Sequence, residues 1–441
     1  MNKSVLSIAI VAAAIAAGAG SVKFTADQVD SQLLAGVEAF NANPAYRDQV
    51  ELQLDPAQQE RGWLASDYRL ALVLKKPDAD IQALLGGDRI PLRLSSEHRP
   101  FSATLTATLA DSALLQRLTE LQQTPGRVPF NSVLNVDFNP LSQSARMELN
   151  VDSDAFSFSE EGQSMEIGAL SLQGELDGQA VTLAMQLAPV KVKDSQGNGL
   201  ELAGMKLNYQ GQLQAGSTLS EGSYQQFDSE LTLMPFSVRD GGTRVSLERF
   251  GIVTRQRREG QRVLLDTSYR ADGPRHFDPA TKRETQFSQA TLGLTLDLDS
   301  AGFDNAMARL QALSRQAELQ PQQLVDLLNP ITSQGVRLRL NELSLAGDSP
   351  MLNAQGELSL SSFNVNELEA GPRTLAEKAA AELSLSADPV VLSRLAGARW
   401  QRDLSRLQAQ GFVTVVDEKL HSKLEFKDRA LLVNGQTLMR F

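Results

Sequence analysis

Beyond Val50 the hydrophobic residues of this chain fall at every second position, and that period is the strongest limit on what it can fold into. Tyr68, Leu70, Leu72 and Leu74 alternate with Arg69, Ala71 and Val73. Val181, Leu183, Met185 and Leu187 repeat the pattern, as do Val336, Leu338 and Leu340 around Arg337 and Arg339. Successive side chains of a strand point to opposite faces, so these runs predict half-buried strands. Asp177-Gly178, Gly241-Gly242 and Asn434-Gly435 punctuate such runs. These dipeptides accept the positive φ of tight hairpin turns, and hairpins make antiparallel sheet.

Helical spacing interrupts the strands in a few places. Asp111 is read as an N-cap before Leu114, Leu115 and Leu118, and Asp299-Ser300 opens a helix carrying Phe303, Met307, Leu310 and Leu313. Further helices are expected from about Gln322 to Leu328, after the cap and first-turn proline Asp388-Pro389, and from Trp400 to Leu407. The expected fold class is therefore mainly β with interspersed helices (α+β), in large antiparallel, curved sheets built from hairpins. One echo recurs: strands ending at Asp111, Asp299 and Asp388 each lead into an apolar-faced helix. Duplication and ordinary strand-to-helix chemistry both account for it.

The first residues decide location. Met1-Asn2-Lys3 is a positive n-region, and Val5 to Gly20 carries no charge. Those sixteen residues reach roughly 24 Å as a helix, short of a ~30 Å hydrocarbon core unless Val22 and Phe24 extend the run while Lys23 snorkels. Ala17-Gly18-Ala19 favours a cleaved signal peptide. Val29, Leu33, Val37 and Phe40 continue a helical pattern and favour an uncleaved anchor. Both readings export the rest. The expected division is a signal anchor or signal peptide over 1–24, a helical connector over 25–45, a β-rich periplasmic region over 46–300, and a helix-plus-β region over 301–441.

A net charge of −11 argues against nucleic acid as a partner, since such proteins need a basic surface. The absence of cysteine removes thiol catalysis, iron–sulfur clusters and disulfides. His98, His276 and His421 are the only histidines, and no two have ligand spacing. Of the three, His98, beside Pro100 and Phe101 in a loop after a strand, is the best candidate for a special role, with a structural hydrogen bond the more ordinary one. The pairs Asp152/Asp154 and Asp297/Asp299 lack the glycine and distal glutamate of a calcium loop. No nucleophile is paired with a base, so no enzyme, cofactor or metal is expected. The stretch from Arg239 to Arg283 runs against the overall charge, with eleven Lys or Arg against six Asp or Glu. Arg255, Arg257, Arg258 and Arg262 cluster around Glu259-Gly260, a hairpin tip. They are candidate contacts for anionic lipid, or guards of a strand edge.

Arg61-Gly62-Trp63 holds one of only two tryptophans; it reads as a surface anchor or as a turn that caps the core. Together with the apolar N-terminus, His98-Arg99-Pro100-Phe101 and the terminal Asn434-Gly435 hairpin, it makes the chain resemble the YdgA family of bacterial envelope proteins, a domain of unknown function. Arg99 stands where the family pattern usually has glycine. The resemblance covers almost the whole length. It implies an inner-membrane protein with a single uncleaved N-terminal pass, its bulk in the periplasm, able to self-associate as a homodimer, and it implies no reaction. Two functions are carried forward. One is a non-enzymatic envelope factor that binds or shields lipid on an apolar sheet face; the other is a structural or assembly protein that works through protein partners, in motility or surface structures. An open apolar trough favours the first and a closed sandwich excludes it.

Overall fold

The computed structural model describes residues 33–34, 37–38, 40–42, 49–54, 60–61, 65–75, 82, 87–99, 102–122, 129–139, 144–160, 162–215, 224–313, 321–347, 350–370, 372–390 and 399–441. The stretch 1–24, expected to be a signal anchor or signal peptide, and Val29 lie outside these residues. The chain divides into two compact units, 1–215 and 216–441, with the short stretch 313–317 grouped with the first.

In the first unit β1 (Val50–Leu54) and β2 (Glu60–Arg61) both pair with β3 (Ala65–Leu74). The sheet continues through β4 (Arg89–Arg99), β5 (Ser102–Leu109), β6 (Phe130–Asn139) and β7 (Ser144–Ser153), each antiparallel to the last. Helix α1 (Ala113–Leu121) joins β5 to β6. Its N-cap is Ser112, whose Oγ accepts from the Leu115 amide at 3.1 Å; the expected cap, Asp111, lies one residue too early to reach the first turn. One face of this sheet is buried. Tyr68, Leu72, Ile90, Leu134 and Val151 share a core with the helical residues Leu33, Val37 and Phe40, so alternation becomes burial because a helix covers the apolar face.

The strands that follow are long and kinked. β8 (Phe156–Glu160), β9 (Gln163–Ile167), β12 (Val190–Lys193) and β13 (Gly199–Leu202) form a small antiparallel sheet, while β10 (Leu170–Asp177), β11 (Ala180–Leu187) and β14 (Met205–Leu213) extend the large one from β7. Each chain segment passes from one sheet to the other through a one- or two-residue break. At one such corner Gly168 donates to the Pro189 carbonyl at 2.7 Å, and a Cβ there would sit 2.6 Å from Ala188. Only glycine fits so close an approach.

The second unit repeats this topology. β15 (Tyr224–Leu233), β18 (Arg249–Glu259), β19 (Arg262–Asp272) and β22 (Gln289–Asp299) take the places of β7, β10, β11 and β14. β16 (Phe236–Asp240), β17 (Thr243–Leu247), β20 (Arg275–Asp278) and β21 (Arg283–Gln286) take the places of β8, β9, β12 and β13 and pair antiparallel in that order. The large sheet then runs on through β23 (Val336–Ala346), β24 (Pro350–Leu360), β25 (Ala379–Ala387), β27 (Lys419–Lys427), β28 (Ala430–Val433) and β29 (Gln436–Arg440), with β26 (Thr414–Val416) also on β27. Helices α2 (Ser300–Leu313) and α3 (Pro321–Thr332) link β22 to β23, α4 (Pro372–Lys378) precedes β25, and α5 (Arg399–Ala409) precedes β26. The division expected at residue 300 falls inside this sheet, because β22 before it pairs along nearly its full length with β23 after it. α3 outruns its expected end at Leu328 to Thr332, with Pro330 in its last turn.

The protein is thus mainly β, in antiparallel sheets. The three expected hairpin tips are present, with left-handed φ at Gly178, Gly241, Gly242, Asn434 and Gly435. Asp417-Glu418 and Asp428-Arg429 form two more tips without glycine, which the sequence reading missed. Asp299 caps α2 as expected, its Oδ2 accepting from the Gly302 amide at 2.7 Å.

Candidate functional site

The large sheet of the second unit has two contrasting faces, and the strand register shows how each is built. One rung across the strands reads Leu265, Leu296, Leu338, Leu358, Ala381, Phe426, Leu431 and Met439. Two residues along, on the same face, Thr267, Leu294, Leu340, Gly356, Leu383, Leu424 and Val433 line up. A third rung runs Ile252, Tyr269, Leu292, Leu343, Ala354 and Leu385. At ~4.8 Å between strands, the first rung spans roughly 34 Å. The opposite face carries charge: Asp228, Arg255, Asp266, Thr295, Arg339 and Glu357 occupy one rung, and opposite charges on neighbouring strands attract.

The apolar face is covered toward its ends, and at the end away from α2 Ala387, Leu420 and Val433 on the same face are buried. Val263 and Leu298, beside α2, are fully buried, and α3 packs against β22. Over the middle of the sheet the leucines are open: Leu338 is 37% exposed, its cross-strand neighbour Leu358 39%, and Leu343 36%. In the first unit the matching alternation leaves Leu72 1% exposed. Apolar side chains on a sheet face shield only their neighbours, so values of this size mark a face with no layer packed on it.

The four candidate arginines are brought near one hairpin, as the Glu259-Gly260 tip predicts, but they do not share a face. Arg255, Arg257 and Arg262 project on the charged side, and Arg258 on the apolar side. Each has a carboxylate partner. Arg255 meets Asp228 at 3.3 Å, Arg257 meets Asp266, and Arg262 Nε meets Asp297 at 2.6 Å. Arg258, its side chain only 9% exposed, holds Asp304 of α2 through both Nη atoms, donates from Nε to the Tyr224 carbonyl, and lies 6.0 Å from the Phe303 ring centroid. It pins α2 over the end of the apolar face. Burial raises the pKa of Asp266, but hydrogen bonds from Thr295 and Arg257 and the charges of Arg257 and Arg339 outweigh it, so its carboxyl stays below the ordinary range.

A cleft of about 1020 Å³ opens where strands β19, β22, β23, β24, β25 and β27 begin or end. Arg262, Arg337, Lys378, Lys427 and Arg429 line it against three carboxylates, those of Asp297, Glu377 and Asp428. The sequence reading missed this site, because its cations come from segments nearly 170 residues apart and only the register gathers them.

The remaining candidates separate. His98 lies inside β4, opposite Ala103, rather than in a loop after a strand: β4 runs to Arg99 and pairs with β5 up to that end. His276 is in the small sheet on β20, and His421 is on β27. Asp154 is buried and accepts from Gln122 and the Ala155 amide, and Asp297 and Asp299 serve Arg262 and the α2 cap. Of the landmark residues, Arg61 pairs with Ser66 in β2, and Asn434-Gly435 forms the last hairpin; Gly62, Trp63 and Pro100 lie outside the described residues. Among the described residues no helix is long and apolar enough to cross a membrane, which says nothing about strands.

A family model described as "Bacterial protein of unknown function (DUF945)" matches residues 1–439, and the chain belongs to that family. A search of the curated proteins finds no match.

Proposed function

We propose that this protein is a non-enzymatic envelope factor, held at the inner membrane by its N-terminal segment with its body in the periplasm, and that the open apolar face of the second unit holds or shields acyl chains. The observation that carries this reading is the set of in-register leucine rungs, solvent-open around Leu338, Leu343 and Leu358. A face of that extent left in water is costly, at roughly 25 cal/mol per Å² of apolar surface, and an apolar ligand removes the cost. The location is supported by Lys3 and the uncharged run from Val5 to Gly20. Native mass spectrometry of the full-length protein extracted in detergent tests the ligand: co-purified lipid is expected, and loss of that lipid in Leu338→Gln/Leu358→Gln. Clean apo-protein from both chains would sink the reading. Alkaline phosphatase fused after Pro44 tests the topology, with an active reporter expected.

The second reading, an assembly protein acting through protein partners or a second copy of itself, is favoured by one feature. The edge strand β29 is exposed throughout, with Leu438 at 49% and Met439 at 50%. Such an edge is a template for strand addition. Sedimentation of wild type against Leu438→Lys separates the readings, since only strand pairing is sensitive to that lysine.

A further inference from the structure

We propose that the apolar face selects a lipid with an uncharged, hydroxyl-bearing head, a diacylglycerol, whose glycerol lies on a patch of hydroxyl groups at the β15 side of the sheet; this rests on the acyl-binding reading above. Strand register places the patch and the leucines on the same face. Ser229, Thr254 and Thr267 stand on one rung across β15, β18 and β19, and that rung continues into Leu294 and Leu340. Tyr269, two residues along β19, belongs to the next rung, which continues through Leu292 to the open Leu343. At ~4.8 Å between strands, Thr267 lies roughly 10 Å from Leu340, and Tyr269 the same distance from Leu343. An acyl chain laid along either rung therefore brings its polar end among the hydroxyls.

Two further observations set the chemistry of the head. First, the hydroxyls are unpaired. Among the described residues none of the four side chains makes a hydrogen bond, although Ser229, Thr254 and Thr267 are half-buried. On the charged face, by contrast, the Thr295 hydroxyl donates to Asp266 at 2.5 Å. A hydroxyl both donates and accepts, so it suits a glycerol hydroxyl and an ester carbonyl alike. Second, the face around the patch has no charge to offer. Among the described residues Arg258 is the only Lys, Arg, Asp or Glu on the apolar side of β15, β18, β19, β22 and β23, and it is committed to Asp304 and the Tyr224 carbonyl. Arg255 and Arg257 project on the other face, where they meet Asp228 and Asp266. A phosphate or carboxylate head laid on the apolar side would lose water and find no cation, which is costly, whereas a glycerol head finds its hydrogen bonds.

The experiment is uptake by full-length detergent-solubilised protein from phosphatidylcholine vesicles that carry a trace of one probe: chain-labelled fluorescent diacylglycerol, chain-labelled phosphatidylglycerol or a fluorescent alkane. Wild type is expected to take diacylglycerol over phosphatidylglycerol by more than about tenfold, since the phosphate is left unpaired. Thr254→Val/Thr267→Val/Tyr269→Phe keeps the side-chain shapes and removes the hydroxyls, and is expected to lose about fivefold in diacylglycerol uptake, the worth of one hydrogen bond. Its alkane uptake should stay unchanged, which also shows that it is folded. Thr254→Ser/Thr267→Ser, which keeps the hydroxyls, should retain the preference, and loss of the preference there would overturn the assignment even if the triple variant failed to fold. Equal uptake of diacylglycerol and phosphatidylglycerol by wild type overturns the uncharged head and leaves the acyl face standing. Full diacylglycerol uptake by the triple variant overturns the role of the hydroxyls. No uptake of any probe, the alkane included, removes the acyl face and this inference with it.

Discussion

The strand β3 in the first unit and β23 in the second have nearly the same sequence pattern and opposite fates. In β3, Tyr68, Leu70 and Leu72 are buried in a core with Leu33, Val37 and Phe40; in β23, Leu338 and Leu343 face solvent. Period-two alternation says that one face of a strand is apolar. It does not say whether anything covers that face. The covering element of the first unit is a helix, whereas the helices of the second unit pack at the ends of its sheet. The same alternation in antiparallel sheet thus supports a closed core on β3 and an open face on β23.

The largest effects that sharpen this comparison are in stability. Leu72→Ala should cost about 2–5 kcal/mol by urea unfolding, as for a fully buried leucine that leaves a cavity. Leu358→Ala, 39% exposed with no layer above it, should cost under about 1 kcal/mol. Equal costs would mean that the second face is packed. Arg258→Gln comes next, at about 1–2 kcal/mol: the arginine is buried, but its partner Asp304 is 40% exposed and can hydrate once released. Arg255→Gln, on an exposed pair, should move the unfolding midpoint by almost nothing, so a similar shift in both variants would argue against a helix pinned by Arg258. Asp299→Ala should remove about 1 kcal/mol as a lost helix cap.

The smallest effect is on pH dependence. Asp266 has its folded pKa below the unfolded value, so its contribution is present above the ordinary carboxylate value of 3.8 and is lost as pH falls through the lower folded one. Thermal midpoints of wild type should therefore drop on the acid side more steeply than those of Asp266→Asn. Parallel acid limbs would show that the hydrogen bonds from Thr295 and Arg257 do not persist in solution.

Much of the fold is legible from residues alone. Alternation located the strands, Asp177-Gly178 and Asn434-Gly435 located tips, and Asp299 was read correctly as a cap. The tips at Asp417-Glu418 and Asp428-Arg429 were not legible because no glycine marks their left-handed pairs. The repeated topology of β7–β14 and β15–β22 escaped because it resides in which strands pair, while corners as different as Ala203-Gly204 and Phe287-Ser288 fill equivalent positions. The arginine cluster was legible as a cluster. That Arg258 turns inward while Arg255 stays outside follows from strand parity, which the spacing already contained, and from Asp304, 46 residues away, which it did not.

The claim at the centre of this account is that the second unit's apolar face is open to solvent until an acyl chain occupies it. The chain contains no cysteine, so single cysteines report cleanly on chosen positions. Leu338→Cys, Leu358→Cys and Leu72→Cys in the full-length protein, stripped of lipid and then reloaded, would be exposed to a water-soluble maleimide and the labelling rates compared. The account predicts fast labelling at 338 and 358 in stripped protein, strong protection of both after reloading, and almost none at 72 throughout. Slow labelling at 338 and 358 without lipid, matching 72, would contradict it.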